Sequence, residues 1–280
     1  MKEDYRIRTL CQTLAVSSSG YYDWQERQRH PSPRALADQA LLEQLRRGHE
    51  QSRQTYGSPR LQALLRQKGQ HHGRNRIARL MRLGGLVGRH KRRYRVRTTD
   101  SGHDFPIAPN RLAQTSKPSA PNQIWVADVT YLPTDQGWLY LAAVLDLYSR
   151  QIVGWATSPR NDTALVLQAW HMARQHRRPP GQLLFHSDRG STYASAEFGA
   201  ALQKAKVISS MSRAGNCYDN ATMESFWSTL KWELVYQDRW LSHSQAQARL
   251  FDYIEVFYNR QRLHSALNYL SPVDFELLNN

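Results

Sequence analysis

The chain has 280 residues, of which 40% are hydrophobic, and a formal net charge of +15. This is enough for one large or two ordinary domains with buried cores. No uninterrupted apolar run approaches the roughly 18 residues that a membrane helix needs, and the N-terminus lacks the apolar core of a signal peptide. Cys11 and Cys217 form no C-x-x-C pair. We therefore expect no membrane segment and free thiols in a reducing compartment.

The excess positive charge lies in the first part of the chain. Residues 1–120 hold 24 Lys and Arg against 9 Asp and Glu, whereas residues 121–280 hold 14 of each. This asymmetry indicates a basic front part that binds a polyanion and a neutral rear part with another role. The alternative is a generally basic, solvated surface.

Helical patterns follow an N-terminal segment, residues 1–34. Leucine spacing predicts a first helix from about Ala35. In YGSPR, Ser58 as N-cap and Pro59 at the first helical position predict a second helix. A third is predicted over residues 75–83, and Gly84 and Gly85 end it. The arginines that face outward around this third helix are Arg74, Arg76, Arg79 and Arg82.

Three short helices, the last rich in arginine, are typical of a helix-turn-helix-like DNA-binding module, here residues 35–97. The basic stretch GRHKRRYRVR at its end predicts phosphate contacts. Spacing alone does not separate such a module from a three-helix bundle with a solvated basic face, but the charge excess favours nucleic acid. Residues 98–121, rich in Pro, Ser and Thr, predict a linker. The basic residues assigned to phosphates in the stretch are Lys91, Arg92, Arg93 and Arg95.

The rear part of the chain has the pattern of strands. Residues 124–132 (IWVADVTYL) are almost wholly apolar, as a central strand covered on both faces would be. Two further antiparallel strands are predicted within residues 138–158, and a helix with an Asp cap within 162–176. A strand ending in LLFHSD, a helix, a short strand and another helix complete a mixed α/β core over residues 122–240. A helical C-terminal segment, residues 241–280, follows.

Acidic residues occur at particular points of this predicted core. Asp128 lies inside the apolar strand, Asp188 ends the strand LLFHSD, and Glu224 lies one residue off the apolar stripe of the helix NATMESFWSTLKWELV. Taken singly, Asp188 is typical of a turn residue and Glu224 of a solvated helix residue, but an unpaired buried Asp128 is costly. Asp146 is a fourth candidate, for which we expect a role in the hairpin or in support of the other acids.

Convergence of these carboxylates would require compensating positive charge. Two carboxylates about 4 Å apart repel by roughly 4 kcal/mol at an effective dielectric constant of 20. No Lys or Arg lies immediately beside Asp128 in the sequence, so a divalent metal is favoured. Mg²⁺ prefers carboxylates and water, and a pair of ions can hold the attacking and leaving oxygens of a phosphoryl displacement. With a basic DNA-holding module, this indicates chemistry on a phosphodiester.

Three sequence blocks carry a resemblance to a known family. WVADVTY, HSDRGSTYAS and NCYDNATMESFWSTLKWE resemble the catalytic blocks of the retroviral-integrase-like DDE transposases, in particular the second-frame protein of the bacterial insertion-sequence-three family. Between Asp188 and Glu224 lie 35 residues, the spacing of the D,D(35)E signature. Lys231, seven residues beyond the glutamate, and the stretch 253–276 also match, so the resemblance covers nearly the whole chain.

The resemblance implies an α/β fold with a ribonuclease-H-like mixed five-stranded sheet and flanking helices, preceded by a small all-α helix-turn-helix-like DNA-binding domain. It implies that Asp128, Asp188 and Glu224 are catalytic and bind Mg²⁺, with Mn²⁺ as a substitute and two ions per active site. Lys231 would contact DNA. The enzyme would be a polynucleotidyl transferase in which water or a DNA 3′-hydroxyl attacks a phosphodiester, giving strand cleavage and then strand transfer.

Two residues are expected to support the acids. Asn220 is predicted to cap the last helix of the core, and by the resemblance it shapes the preceding loop together with Tyr218. His186 either orders a water or pairs with backbone. No zinc is expected, because His71 and His72 have no cysteine pair with which to form a zinc module.

The resemblance also implies partners: double-stranded DNA, as terminal inverted repeats and as target, and further copies of the chain on that DNA. Many relatives are fused to an upstream-frame protein with a helix-turn-helix and a coiled coil. This chain shows no long heptad run, so we expect that portion to be separate. A bacterial cytoplasmic protein associated with the nucleoid is expected. Two alternatives are a ribonuclease-H-like nuclease that cuts without joining, and a catalytically silent DNA-binding regulator of transposition.

Overall fold

The computed structural model describes residues 6–89, 106–179, 181–213 and 220–279. The chain forms two compact units, Met1–Gly88 and Arg89–Asn280. No helix in these described ranges is long and apolar enough to cross a membrane. Several residues with a predicted role lie outside the described residues, namely Lys91, Arg92, Arg93, Arg95, Cys217 and Tyr218.

The described part of the first unit is helical throughout, including the N-terminal segment. Its elements are α1 (Ile7–Thr13), α2 (Ser18–Arg29), α3 (Pro33–Gln51), α4 (Ser58–Gln67) and α5 (Arg74–Leu83). The three helices predicted within residues 35–97 correspond to α3, α4 and α5, although α3 has 19 residues and is not short; α1 and α2, in the N-terminal segment, were not predicted. The sequence pattern missed α2 because none of its residues is buried, so no apolar stripe marks it.

Side-chain caps begin two of these helices, α2 and α3. Ser17 accepts a hydrogen bond from the Gly20 amide and so begins α2. The predicted N-cap of α4 is wrong by one position, because Gly57 occupies it and Ser58 is already the first helical residue. Pro59 is tolerated there, since amides of the first turn have no intrahelical partner. The core of the unit is the predicted apolar stripe, formed by Leu61, Leu65, Ile77, Leu80 and Met81 together with Leu41 and Leu45 of α3.

A mixed five-stranded sheet is the centre of the second unit. Its order is β3-β2-β1-β4-β5; β2 is antiparallel to β1 and to β3, whereas β4 is parallel to β1 and to β5. The expected sheet, with the apolar strand at its centre, is confirmed. The strands are β1 (Ile124–Thr134), β2 (Gly137–Asp146), β3 (Ile152–Ser158), β4 (Leu184–Ser187) and β5 (Ile208–Met211).

Helices flank this sheet and continue to the C-terminus. They are α6 (Thr163–Arg177), α7 (Ser191–Ala194), α8 (Ala196–Lys204), α9 (Ala221–Glu233), α10 (His243–Phe251) and α11 (Pro272–Asn279), with a π-helical segment at Asp252–Tyr258. Asp162 caps α6, as predicted, by accepting from the Leu165 amide. Gly154 lets α6 approach β3 closely, because an added Cβ would lie 2.3 Å from the Ala169 carbonyl oxygen.

The turn from β2 to β3 is organised by Asp146. Its buried carboxylate accepts hydrogen bonds from the amides of Asn122 (2.6 Å) and Tyr148 (2.9 Å) and from the Trp125 indole (3.3 Å). These donors satisfy the charge within the sheet. Asp146 therefore has the hairpin role that was expected for it.

A buried ion pair joins α9 to the C-terminal segment. Arg262 donates to both carboxylate oxygens of Glu233 at 2.7 Å, and the Tyr253 hydroxyl donates to the same carboxylate at 2.8 Å. All three side chains are buried. Since a buried charge is costly without partners, this cluster defines how the last turn of α9 packs against the segment that follows.

Candidate active site

Asp128 and Asp188 are brought together by the parallel pairing of β1 and β4. Val126 lies opposite His186 in the register of the two strands. Extending this register by two residues places Asp128 alongside Asp188, which directly follows β4. Because side chains alternate along a strand, Asp128 is on the same side of β1 as Val126.

The electrostatics of Asp128 show that the two carboxylates influence each other. Its pKa is raised to about 7, first by burial and then by the negative charge of Asp188, with a smaller effect from Glu224. Two hydrogen bonds act in the opposite direction: the Trp227 indole donates to Oδ2 at 2.9 Å and the Val129 amide to Oδ1 at 2.8 Å. The raised pKa indicates a negative site without enough compensating positive charge.

The helix α9 carries the third acid and contacts the first. Trp227, which donates to Asp128, lies three residues after Glu224, so the two side chains share one face of α9. Glu224 is exposed and lies in the first turn, and burial around its carboxylate raises the pKa. The predicted apolar stripe of this helix is buried as expected, through Met223, Trp227, Leu230 and Leu234.

Lys231 is also close to the acids. Its Nζ lies 5.1 Å from the centre of the Tyr131 ring, on β1. Burial lowers the pKa of Lys231, and the charge of Asp128 opposes that effect. Lys231 is therefore a half-buried cation on the same helix as Glu224, within electrostatic reach of Asp128.

The sequence reading missed three residues around the acids. Tyr193, on α7, is buried, and its pKa is raised well above the usual value by burial and by the charges of Asp128 and Asp188. Arg150, in the β2–β3 turn, donates to the Thr222 hydroxyl at 2.6 Å and so contacts the first turn of α9. The third is Trp227, whose position one helical turn after Glu224 could have indicated that it lies on the same face of α9.

The two residues expected to support the acids contact residues distant in sequence. His186 is fully buried, and its ring nitrogens pair with the hydroxyls of Ser210 (2.9 Å) and Ser212 (3.1 Å). Asn220 occupies the N-cap position of α9, but its side chain makes no capping hydrogen bond. Its amide instead donates to the Ala127 carbonyl at 3.4 Å, next to Asp128, and its buried Oδ1 has no partner among the residues that the structure describes.

Comparisons with known proteins agree with this architecture. Two integrase core domain families match residues 118–217 and 205–272, and an HTH-like domain family matches residues 36–94. A 31 kDa protein of insertion element IS600 from Shigella sonnei is 46% identical over 95% of this chain and 97% of its own length. The transposase InsF of insertion sequence IS3A from Escherichia coli K12 is 39% identical over 98% of this chain and 94% of its own length. The chain belongs to the IS3 family of transposases.

This assignment confirms the expected family, the integrase core with its preceding helix-turn-helix-like domain, and the identification as an enzyme of DNA transposition. The two alternatives, a cutting nuclease and a silent regulator, are not favoured. Among solved structures, the simian T-cell lymphotropic virus intasome in complex with PP2A regulatory subunit B56 gamma aligns with a TM-score of 0.49 and 16% identity, covering 77% of this chain and 70% of that one.

The carboxylates of the transposase can be compared with the ligands that a divalent cation requires. Within the described ranges, no three His, Cys, Asp or Glu side chains form a group that could hold a metal ion. Mg²⁺ does not require such a group, because it is usually bound by one or two carboxylates, with waters and substrate phosphates completing its shell. Asp128 and Asp188 provide two carboxylates at one point, with repulsion that a cation would relieve. These residues therefore fit such an ion.

The arginines predicted to bind DNA from α5 have two kinds of surroundings. Arg76 and Arg79 both bind the carboxylate of Asp38 on α3, with an Nη2–Oδ1 distance of 2.7 Å for Arg76. Both guanidinium groups lower the pKa of Asp38. Arg74 and Arg82 are exposed. In the transposase, Arg76 and Arg79 thus connect α5 to α3, and Arg74 and Arg82 are available on the surface.

Proposed function

We propose that the transposase binds the terminal inverted repeats of its insertion sequence and cleaves and joins DNA strands at a site formed by Asp128, Asp188 and Glu224. In this reaction an oxygen of water or of a DNA 3′-hydroxyl attacks a phosphorus atom, and the bond from phosphorus to the opposite oxygen breaks. These three carboxylates would hold Mg²⁺, or Mn²⁺ in its place, and a pair of such ions would supply positive charge to the attacking and leaving oxygens.

One observation carries the proposal: the charge of Asp188 raises the pKa of the half-buried Asp128. Two carboxylates held at such a distance destabilise each other unless a cation or proton lies with them. Within the described residues, Lys231 is a cation in electrostatic contact with Asp128, and burial disfavours its charged form. A divalent cation would relieve the repulsion between these two carboxylates.

Each acid has a distinct task in the proposal. Asp128 and Asp188 would hold the ion, and Asp128 is oriented by the Trp227 and Val129 donors. Glu224 lies on the exposed side, in the first turn of α9, and completes the site once DNA phosphates are present. A site placed on strands and a helix keeps its ligands more precisely than one on loops.

DNA binding is assigned mainly to the basic first part of the chain. Arg74 and Arg82 on α5 contact phosphates, joined by Lys231 near the acids. Arg76 and Arg79 contribute positive charge while they bind Asp38. The basic stretch with Lys91, Arg92, Arg93 and Arg95 adds further phosphate contacts. The two ends of an element are two separate binding sites for one kind of chain, so we propose a homo-oligomer on DNA.

The test is a strand-transfer assay on DNA carrying the element's own ends, with Mg²⁺ or Mn²⁺. Glu224→Gln is compared with Glu197→Gln, a matched control because Glu197 also lies in the first turn of a helix, α8. The expected result is metal-dependent joining that is lost in Glu224→Gln and retained in Glu197→Gln. Equal activity in both variants would refute the role of Glu224, and cleavage without joining would favour a nuclease.

A wild-type chain that binds DNA but neither cuts nor joins would indicate that the upstream-frame protein is needed. The same assay repeated with that protein supplied, either separately or as a fusion, distinguishes this case. Joining that appears only then would keep the assignment of the acids and place the missing function in the partner.

A further inference from the structure

An exposed aromatic pair lies on the β1–β2 hairpin near the acids. Tyr131, on β1, follows Asp128 by three residues, and its ring packs against that of Trp138, on β2, with the ring centres 4.9 Å apart and the planes at 86°. Trp138 keeps 53% of its surface exposed. A half-exposed indole packed edge-on against a second ring offers an open aromatic face to a ligand.

The hairpin holds this pair rigidly. Trp138 is opposite Pro133 in the antiparallel register, and Gly137 begins β2 with a φ of +104°, a conformation that a residue with a side chain rarely adopts. The turn is tied to the segment after α9, because the Asp135 amide donates to the Trp240 carbonyl at 2.9 Å. The indole is thus presented by ordered backbone on both sides.

A positive charge completes the arrangement. Lys231 lies 5.1 Å from the Tyr131 ring centre and interacts with the charge of Asp128. One tyrosine ring therefore contacts both the exposed indole and the cation. A cation beside an open aromatic surface is the combination with which proteins bind single-stranded nucleic acid, the ring stacking on a base and the cation meeting a phosphate.

The distances along β1 from Asp128 to the aromatic pair correspond to the length of a few stacked nucleotides. With a rise of about 3.3 Å per residue, Tyr131 lies about 10 Å from Asp128, and the position opposite Trp138 lies about 17 Å from it. Stacked nucleotides advance about 3.4 Å each. The pair is therefore about three to five nucleotides from a phosphodiester held at the acids.

We propose that Trp138, supported by Tyr131 and Lys231, is a stacking site for an unpaired nucleobase near the DNA end on which the transposase acts. This rests on the proposed function, since it takes the phosphodiester to lie at Asp128 and Asp188. The occupant is a nucleobase of DNA and not an apolar surface of another protein, because the cation on the tyrosine ring favours a polyanion. Holding one base out of the stack opens the duplex where the strand must enter the site.

The experiment measures binding of the full chain, without catalysis, to two forms of the element's end: one fully paired and one with the terminal bases left unpaired. Ca²⁺ replaces Mg²⁺, and 2-aminopurine placed at successive positions from the end reports stacking by its fluorescence. Trp138→Ala and Trp138→Phe are compared with Phe251→Ala, because Phe251 is an aromatic residue of similar exposure, 55%, on α10.

The expected result is that Trp138→Ala binds the unpaired end about 5- to 150-fold more weakly, the range that stacking of one base corresponds to. Trp138→Phe should retain most of the affinity, and Phe251→Ala should match wild type. The quenching of 2-aminopurine three to five nucleotides from the end should disappear only in Trp138→Ala.

If Trp138→Ala lost equal affinity for paired and unpaired ends, the proposal would be overturned. It would also be overturned if Trp138→Ala lost self-association and kept its DNA affinity, because a second copy of the chain would then be the occupant. Failure of the proposed function is recognised separately: if Glu224→Gln joined strands as well as wild type, the acids would be wrongly assigned even with stacking at Trp138 intact.

Discussion

The pKa of Asp128 predicts that the active site destabilises the metal-free protein at neutral pH. The ordinary pKa of an aspartate is 3.8 and that of Asp128 is about 7. A difference of about three pKa units corresponds to on the order of 4 kcal/mol between the two protonation states. Since the folded state prefers the protonated form, stability is lost as pH rises from about 4 to about 7, at up to roughly 1.4 kcal/mol per pH unit.

The perturbation is Asp128→Asn, which removes the titrating charge and keeps the shape. The free energy of unfolding of the variant minus that of wild type should increase with pH between about 4.5 and 6.5, by roughly 1 kcal/mol per unit, and level off above about 7. Unfolding in urea with EDTA, followed by tryptophan fluorescence, measures this difference. Seven of the eight tryptophans lie in the unit that contains Asp128, so the signal reports on that unit.

A second carboxylate, at the start of α6, provides the control variant. Asp162→Asn also removes one carboxylate but preserves the cap of α6, since Asn caps as well as Asp, so it controls for the change in net charge. Added Mg²⁺ should stabilise wild type and not Asp128→Asn. A difference between Asp128→Asn and wild type that stays constant from pH 4.5 to 7 would refute the electrostatic reasoning.

Three further predictions follow from other parts of the molecule. Arg262→Met should lower the free energy of unfolding by about 3–5 kcal/mol, because it leaves the buried Glu233 carboxylate without its partner. Adding Glu233→Leu should recover most of this loss, and no recovery would contradict the ion-pair explanation. Replacing Arg74 and Arg82 together by alanine should lower the steepness of the salt dependence of DNA binding, the slope of log binding constant against log salt concentration, by about two. DNA titrations at several salt concentrations measure this slope, and an unchanged slope would exclude phosphate contacts by these two arginines. Strand transfer should fall as pH drops below about 7, because metal binding requires ionised Asp128, and a rate independent of pH from 5.5 to 8 would contradict this.

Local sequence patterns were sufficient for most of the secondary structure. The apolar run around Asp128 identified the central strand, and the stripe through Met223 and Leu230 identified α9, because burial of a strand or a helix face leaves its period in the chain. The N-terminal helices were the exception. α2 has no buried residue, so its apolar residues follow no periodic pattern that burial would impose, and only the Ser17 cap marked its start.

The contacts between distant segments depended on the tertiary structure. That Arg76 and Arg79 bind Asp38, and that His186 meets two serines, could not be read from spacing, since these partners lie 24 to 41 residues apart in sequence. The same holds for the cap of α9, where Asn220 has the expected position but donates to the Ala127 carbonyl, 93 residues away.

The sequence by itself determined the residue types of the proposed site: two aspartates, each placed by a strand, and a glutamate on a helix, in the order and spacing that pointed to the family. Only the tertiary structure decided how they interact. The parallel pairing of β1 with β4 brings the charge of Asp188 close to Asp128, and the packing of α9 brings the Trp227 indole to Asp128. The physical reason is that periodicity and capping are local properties of the chain, whereas the pKa of a buried carboxylate depends on charges and donors that folding brings from elsewhere.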